Sequence, residues 1–274
     1  MTNKITTSRN PVTEVFRYIG AVGIVWFHLN GPEAWIGHAA LEFFIIISVF
    51  FALCAGEARS QKRVLRIWLF WSVVYSALKI LQALIHSTPV VDEFSWWMLL
   101  TGPSLPLWFL PFIYVMNGFS VAYSRTIKSY TTIEAVTLGM IAAGSAIASP
   151  LLPIPLAQWA LGFAAVTGAI VLFRASQGNW VALAIWMIPI IVVREELLLL
   201  SVPIAAGALF FSVNTEAQWP YVAGQLALPI YVLHSGVASL TGLNGSVTDI
   251  ITVVIICTVL GAVLRRAPIF RSYL

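Results

Sequence analysis

Ten apolar runs follow one another along the chain, most of them close to the roughly 20 residues that carry a helix across a bilayer. Bounded by turn residues and charges, they fall near 12–29, 36–55, 65–86, 104–123, 132–149, 156–173, 179–193, 196–213, 220–240 and 248–264. In lipid each spanning segment must satisfy its own backbone N–H and C=O groups, which a helix does. The expected fold is therefore all-α: a polytopic transmembrane bundle of about ten spans, forming one domain over 1–274. Composition excludes the soluble alternative. Hydrophobic residues make up 59% of the chain and charged residues 9%, against about 25% charged in a soluble domain. The net charge of +4 gives no reason to expect a nucleic-acid partner. Cys54 and Cys257 both sit in apolar runs, so neither a disulfide framework nor a metal site is expected. The stretch 1–10 is polar, and the first apolar run carries Glu14 and Arg17, so no cleaved leader is expected either.

The basic residues orient the spans, because cytoplasmic loops collect Lys and Arg. With the N-terminus inside, the inner segments hold Lys4, Arg9, Arg59, Lys62, Arg63, Arg66, Arg125, Lys128, Arg174, Arg265, Arg266 and Arg271. The outer segments hold only Arg194, and Arg17 and Lys79 lie within spans. Twelve against one calls for an even number of spans, with both termini cytoplasmic. The seventh run is short and is separated from the eighth only by the Arg194-Glu195-Glu196 cluster, so that pair also reads as one broken hairpin. The stretch 92–102, with Trp96 and Trp97, reads as interfacial.

Ionisable side chains inside a bilayer are costly and tend to mark function. Arg17 and His28 lie eleven positions apart on the first span, three helical turns plus about 20°, and so share a face about 16 Å apart along the axis. Glu14 shares that face. On the third span Ser72, Tyr75, Lys79, Gln82 and His86 follow a 3–4 spacing and form one stripe. Glu42 opens the second span from the outside, Trp108 lies in the outer part of the fourth, and His234 lies in the outer half of the ninth. These groups share one depth, which suggests a wet cavity open to the outside, with Arg17 marking a polar track inward. Each also has a plainer role: Lys79 snorkelling to a headgroup, His86 and Glu42 wetted at a boundary, Lys62, Arg63 and Arg66 setting topology only.

The same residues resemble the acyltransferase-3 family of bacterial membrane O-acyltransferases. Its first-span signature, a basic residue and a histidine with ten residues between them, is matched by Arg17 and His28. The run Glu42-Phe43-Phe44-Ile45-Ile46-Ile47-Ser48-Val49 follows the family's second-span pattern, with valine where glycine is usual. Arg63 and Arg66 match a basic pair three residues apart, Leu107-Trp108-Phe109-Leu110 a mid-chain motif, and Tyr231-Val232-Leu233-His234 a late Tyr-x-x-His. Together the motifs cover most of the chain.

The resemblance implies a bacterial inner-membrane, multi-pass O-acyltransferase. Its donor would be acyl-coenzyme A, most often acetyl, and its acceptor a hydroxyl of a cell-envelope or exported glycan or of a lipid-linked sugar. Arg63 and Arg66, with Arg17, would then hold the donor's phosphates and arm, since arginine suits phosphate oxygens. His28 would act as general base, or carry the acyl group transiently, and Glu42 would orient it. For the oxyanion, the polar residues themselves, and not the resemblance, offer Lys79 or Trp108 as donors; these two, with Gln82, His86, Tyr231 and His234, would line the acceptor pocket. Two other classes fit the same helices: a transporter or flippase, and a membrane binding module without catalysis.

Overall fold

The computed structural model describes residues 10–56, 61–127, 131–213, 215–243 and 245–274. Of the orienting basic residues, Lys4, Arg9, Arg59 and Lys128 lie outside them. Among the described residues the architecture is helical throughout, without strands. The long helices are α1 (Pro11–His28), α2 (Ala34–Ala55), α3 (Gln61–His86), α5 (Phe109–Thr126), α6 (Thr132–Ala148), α7 (Leu156–Ser176), α8 (Trp180–Val193), α9 (Glu196–Phe210), α10 (Trp219–Thr241) and α11 (Val247–Leu264). Short α4 (Met98–Thr101) and α12 (Pro268–Arg271) complete the set. Each long helix occupies one of the ten apolar runs. The stretch 92–100 lies at the surface, with Trp96 76% exposed, and the chain turns inward at Thr101, which is fully buried.

Among the described residues seven helices are long and apolar enough to cross a membrane; α1, α8 and α9 are the long-helix positions outside that group. At 1.5 Å per residue, the 14 residues of α8 and the 15 of α9 reach only about 20 Å, short of a hydrocarbon core of about 30 Å. A tight turn joins them, with Arg194 at φ 54°. The polar α1 has a different reason. It carries Glu14, Arg17 and His28, and it packs between α2 and α10, with α9 and α11 at its flanks, so these neighbours stand between its polar face and lipid. Outward-facing positions elsewhere are apolar, as at Val73, Leu84, Val181 and Ile251.

Hydrogen bonds between helix ends show which ends lie together. At one end of the bundle, Asn10 Nδ2 and Thr13 Oγ1 donate to the carbonyl of Ala208, joining the start of α1 to the end of α9. Arg125 donates to the carbonyl of Gly56 and Arg174 to that of Ile127, so guanidinium groups meet the free carbonyls that end α2 and α5. Arg265 at the end of α11 donates to the carbonyl of Gln225, whose helical partner would have been the N–H missing from Pro229. At the opposite end, Gly245 N–H donates to the carbonyl of Leu29, and Lys79 pairs with Glu93 at 3.5 Å. Basic residues thus concentrate at the end where α1 begins, and His28 lies at the other.

Small residues let the inner helices approach closely. Gly162 of α7 faces Phe112 and Ile45, and Gly168 faces Trp186, whose indole N–H donates to Thr167 at 3.1 Å. The final segment folds back on α3: the Tyr273 ring stacks on Phe70 at 4.3 Å, its carbonyl accepts from Trp71 Nε1, and Leu274 is buried in the main core.

Candidate functional site

Two close helix contacts seat α1, one in its first turn and one toward its end. Where α1 meets α2, the Gly23 carbonyl lies against Gly37, leaving no room for a side chain there. Where α1 meets α10, Glu14 lies on Gly224. With α1 held on both sides, its last residues present their rings to both neighbours. Phe27 makes an edge contact with His38 of α2 at 4.6 Å. His28 stacks on His234 of α10, with centroids 5.2 Å apart and planes at 23°.

His234 is fully buried. Its Nδ1 lies 2.7 Å from the carbonyl of Tyr231, an acceptor, so Nδ1 carries the proton and Nε2 is left as the lone-pair nitrogen. Nε2 has no hydrogen-bond partner among the described residues. The two imidazoles form part of the wall of a cavity of about 460 Å³, with Asn30, Pro106, Ser235 and Ser239 among its other lining residues. That volume is in the range of small-molecule pockets. Among the described residues the lining holds imidazole, hydroxyl and amide groups and no formally charged side chain other than histidine. Such a site can take a proton from a hydroxyl and donate hydrogen bonds to an oxygen.

The structure places the expected residues unevenly. His28 and His234 meet at the cavity, as their shared depth implied. Gln82 stands one step behind the wall and donates to Ser239 at 2.8 Å. Tyr231 is buried beneath it, donating to the carbonyl of Pro106. Arg17 is not in the lining; its guanidinium pairs with Glu14 at 2.9 Å, and its side chain keeps 35% exposure. Glu42 does not bond to His28. Its carboxyl accepts from Ser201 of α9 at 3.1 Å, leaving Oε1 without a partner among the described residues. Lys79 is engaged by Glu93, and Trp108 is packed on Phe109 and Phe112, so neither reaches the cavity to serve an oxyanion. His86 is exposed beyond the wall, and Arg63 and Arg66 are exposed on the first turns of α3.

Sequence reasoning passed over Asn30, Ser235, Ser239 and His38. Ser235 and Ser239 follow His234 at one and five positions, but serine is ordinary in membrane helices, so only the histidine beside them carried a signal. His38 is buried on α2, with Nε2 3.4 Å from Gln158 Oε1.

The Glu42–Ser201 pair gives a first expected result. The carboxyl is 1% exposed and Ser201 is fully buried. Ser201→Ala removes a hydrogen-bond donor from a buried group, and should lower stability by about 1–3 kcal/mol. Thermal unfolding in detergent measures it; a midpoint equal to the parent protein's would mean that the contact contributes nothing.

No protein-family model, curated protein or solved structure matches the chain.

Proposed function

We propose that the chain is a membrane O-acyltransferase, probing the cytoplasm for acyl-coenzyme A and passing the acyl group to a hydroxyl of a cell-envelope glycan or lipid-linked sugar on the outer side. The observation that supports this most is the His28–His234 stack in the wall of a cavity that, among the described residues, has no charged side chain other than histidine, at the end of the bundle away from Arg125, Arg174 and Arg265. In this orientation the arginine-rich end is cytoplasmic, α1 through α11 supply ten spans in the bacterial inner membrane, and both termini face the cytoplasm.

The chemistry follows from the groups present. The acceptor oxygen attacks the thioester carbonyl carbon while His28 takes the hydroxyl proton. The tetrahedral intermediate then collapses with cleavage of the carbon–sulfur bond, and the thiolate recovers a proton from the His28 imidazolium. Asn30 and Ser239 are the donors nearest to hand for the oxyanion, since the hydroxyl proton of Ser235 is given to Tyr75. Arg63 and Arg66, exposed at the opposite end, suit the donor's phosphates, which stay in water there. Arg17 lies between the two ends on the helix that ends in His28.

Purified protein supplied with acetyl-labelled acetyl-coenzyme A and a glycolipid extract tests the reading. Free thiol should appear together with label on the acceptor. Intact coenzyme thioester after prolonged incubation would sink it, and would leave the transporter and the binding module, neither of which cleaves the donor.

A further inference from the structure

We propose that Tyr75 is a positioning residue: its hydroxyl fixes the single turn of α10 that carries His234 and Ser235 into the cavity. The inference rests on the acyltransferase reading for its activity readout, but its geometry stands on α3 and α10 alone.

Helix α10 has local weaknesses around this turn. Pro229 removes a backbone donor five residues before His234, and Gly236 two residues after it offers no side chain to pack. Across this stretch lies the phenol of Tyr75. It donates to the carbonyl of Val232 at 2.7 Å and accepts from the N–H of Gly236 at 3.1 Å. Those two groups are four residues apart, the carbonyl and amide that face each other across one turn of an α-helix. The same oxygen accepts from Ser235 Oγ at 3.0 Å, and Ser235 Oγ is also 3.0 Å from Ser104 Oγ. The hydroxyl's proton and both lone pairs are therefore in use, and all three partners belong to the turn bracketing His234.

The tyrosine is itself held. It is 8% exposed, its ring lies 6.3 Å from that of Trp71, and Trp71 Nε1 is tied to the Tyr273 carbonyl. The approach at Gly236 is close: a Cβ there would stand 3.3 Å from the phenol oxygen and 3.5 Å from Cε1, so the ring would have to give by a few tenths of an ångström. The His28–His234 stack is set by α1 on one side and by this turn on the other. A shift of about 1 Å at a reacting group can cost about 10²-fold in rate.

Tyr75→Phe keeps the ring and deletes the hydroxyl. It is expected to lower kcat for acyl transfer by about 10–100-fold, with the KM for acetyl-coenzyme A within about twofold of the parent value, because the donor's phosphates are held at the other end of the bundle. Gly236→Ala, which crowds the same oxygen without removing it, should give the same split, and it decides the matter if Y75F yields no folded protein. Thermal unfolding of each variant separates positioning from general damage: losses of kcat in proportion to the folded fraction would overturn the proposal. Parent-like kcat in the folded variants would overturn it as well. If the parent protein transfers no acyl group at all, the functional reading fails first and the assignment of Tyr75 falls with it.

Discussion

His28→Ala is expected to lower acyl transfer by about 10²–10⁴-fold, the usual contribution of a positioned imidazole to proton transfer, while leaving a folded, membrane-inserted protein. Both halves of that expectation come from the same contacts. The residue is the last of α1, partly exposed at the cavity, and its ring touches Phe27 and His234. Among the described residues it makes no side-chain hydrogen bond, so truncation strands no buried partner, whereas the same change at Tyr75 or Ser201 would. The helix is secured elsewhere, by Asn10 and Thr13 at its start and by the glycine contacts with α2 and α10 along its length. What the substitution removes is the group able to hold the acceptor's proton while the carbon–oxygen bond forms. Labelled transfer measured beside thermal unfolding checks both parts. Unchanged turnover would take His28 out of the chemistry, and loss of the folded protein would mean that the stack on His234 is structural.

The sequence made the helices legible because each apolar run carries its own length and is bounded by turn residues and charges; the structure closes those breaks with the Asn10 cap, Gly56, Gly242 and the Ser246–Asp249 capping box. The stripe on α3 was legible for the same reason, since a 3–4 spacing is local. Partners were not. Glu42 shared the depth of His28, and nothing in the pattern said that its carboxyl would turn to Ser201, 159 positions away. Arg17 and Glu14 were placed on one face by spacing, and the ion pair between them follows from that; the seat of Glu14 on Gly224 does not. Depth along a helix can be counted in residues, but rotation relative to a neighbour depends on which small residues the neighbour offers. That is why His28 and His234 could be set at one level, while Ser235, Ser239 and Asn30 emerged only with the packing of α1 on α10.

Gly37→Ala is the substitution expected to cost most in stability, and it tests that packing directly. A Cβ at Gly37 would lie 2.4 Å from the carbonyl oxygen of Gly23, 3.2 Å from the amide nitrogen of Phe27 and 3.3 Å from the Gly23 carbonyl carbon. All three obstacles are backbone, so no side chain can turn aside, and α1 and α2 must separate. Between membrane helices attraction comes from close van der Waals contact rather than from exclusion of water, so separation forfeits the interaction itself. Overpacking of this kind costs about 1–3 kcal/mol, and a seam made of two backbones belongs at the upper end. Because the same seam sets Phe27 against His38 and His28 against His234, transfer should fall with it. Gly144→Ala supplies the contrast: a Cβ there meets nothing within 4 Å, and replacing an interior helical glycine by alanine is worth up to about 1 kcal/mol in favour of the helix. The two variants share their chemistry and should move the unfolding midpoint in opposite directions. Equal midpoints would show that the α1–α2 contact is slack enough to admit a methyl group, and the site could then not owe its geometry to that seam.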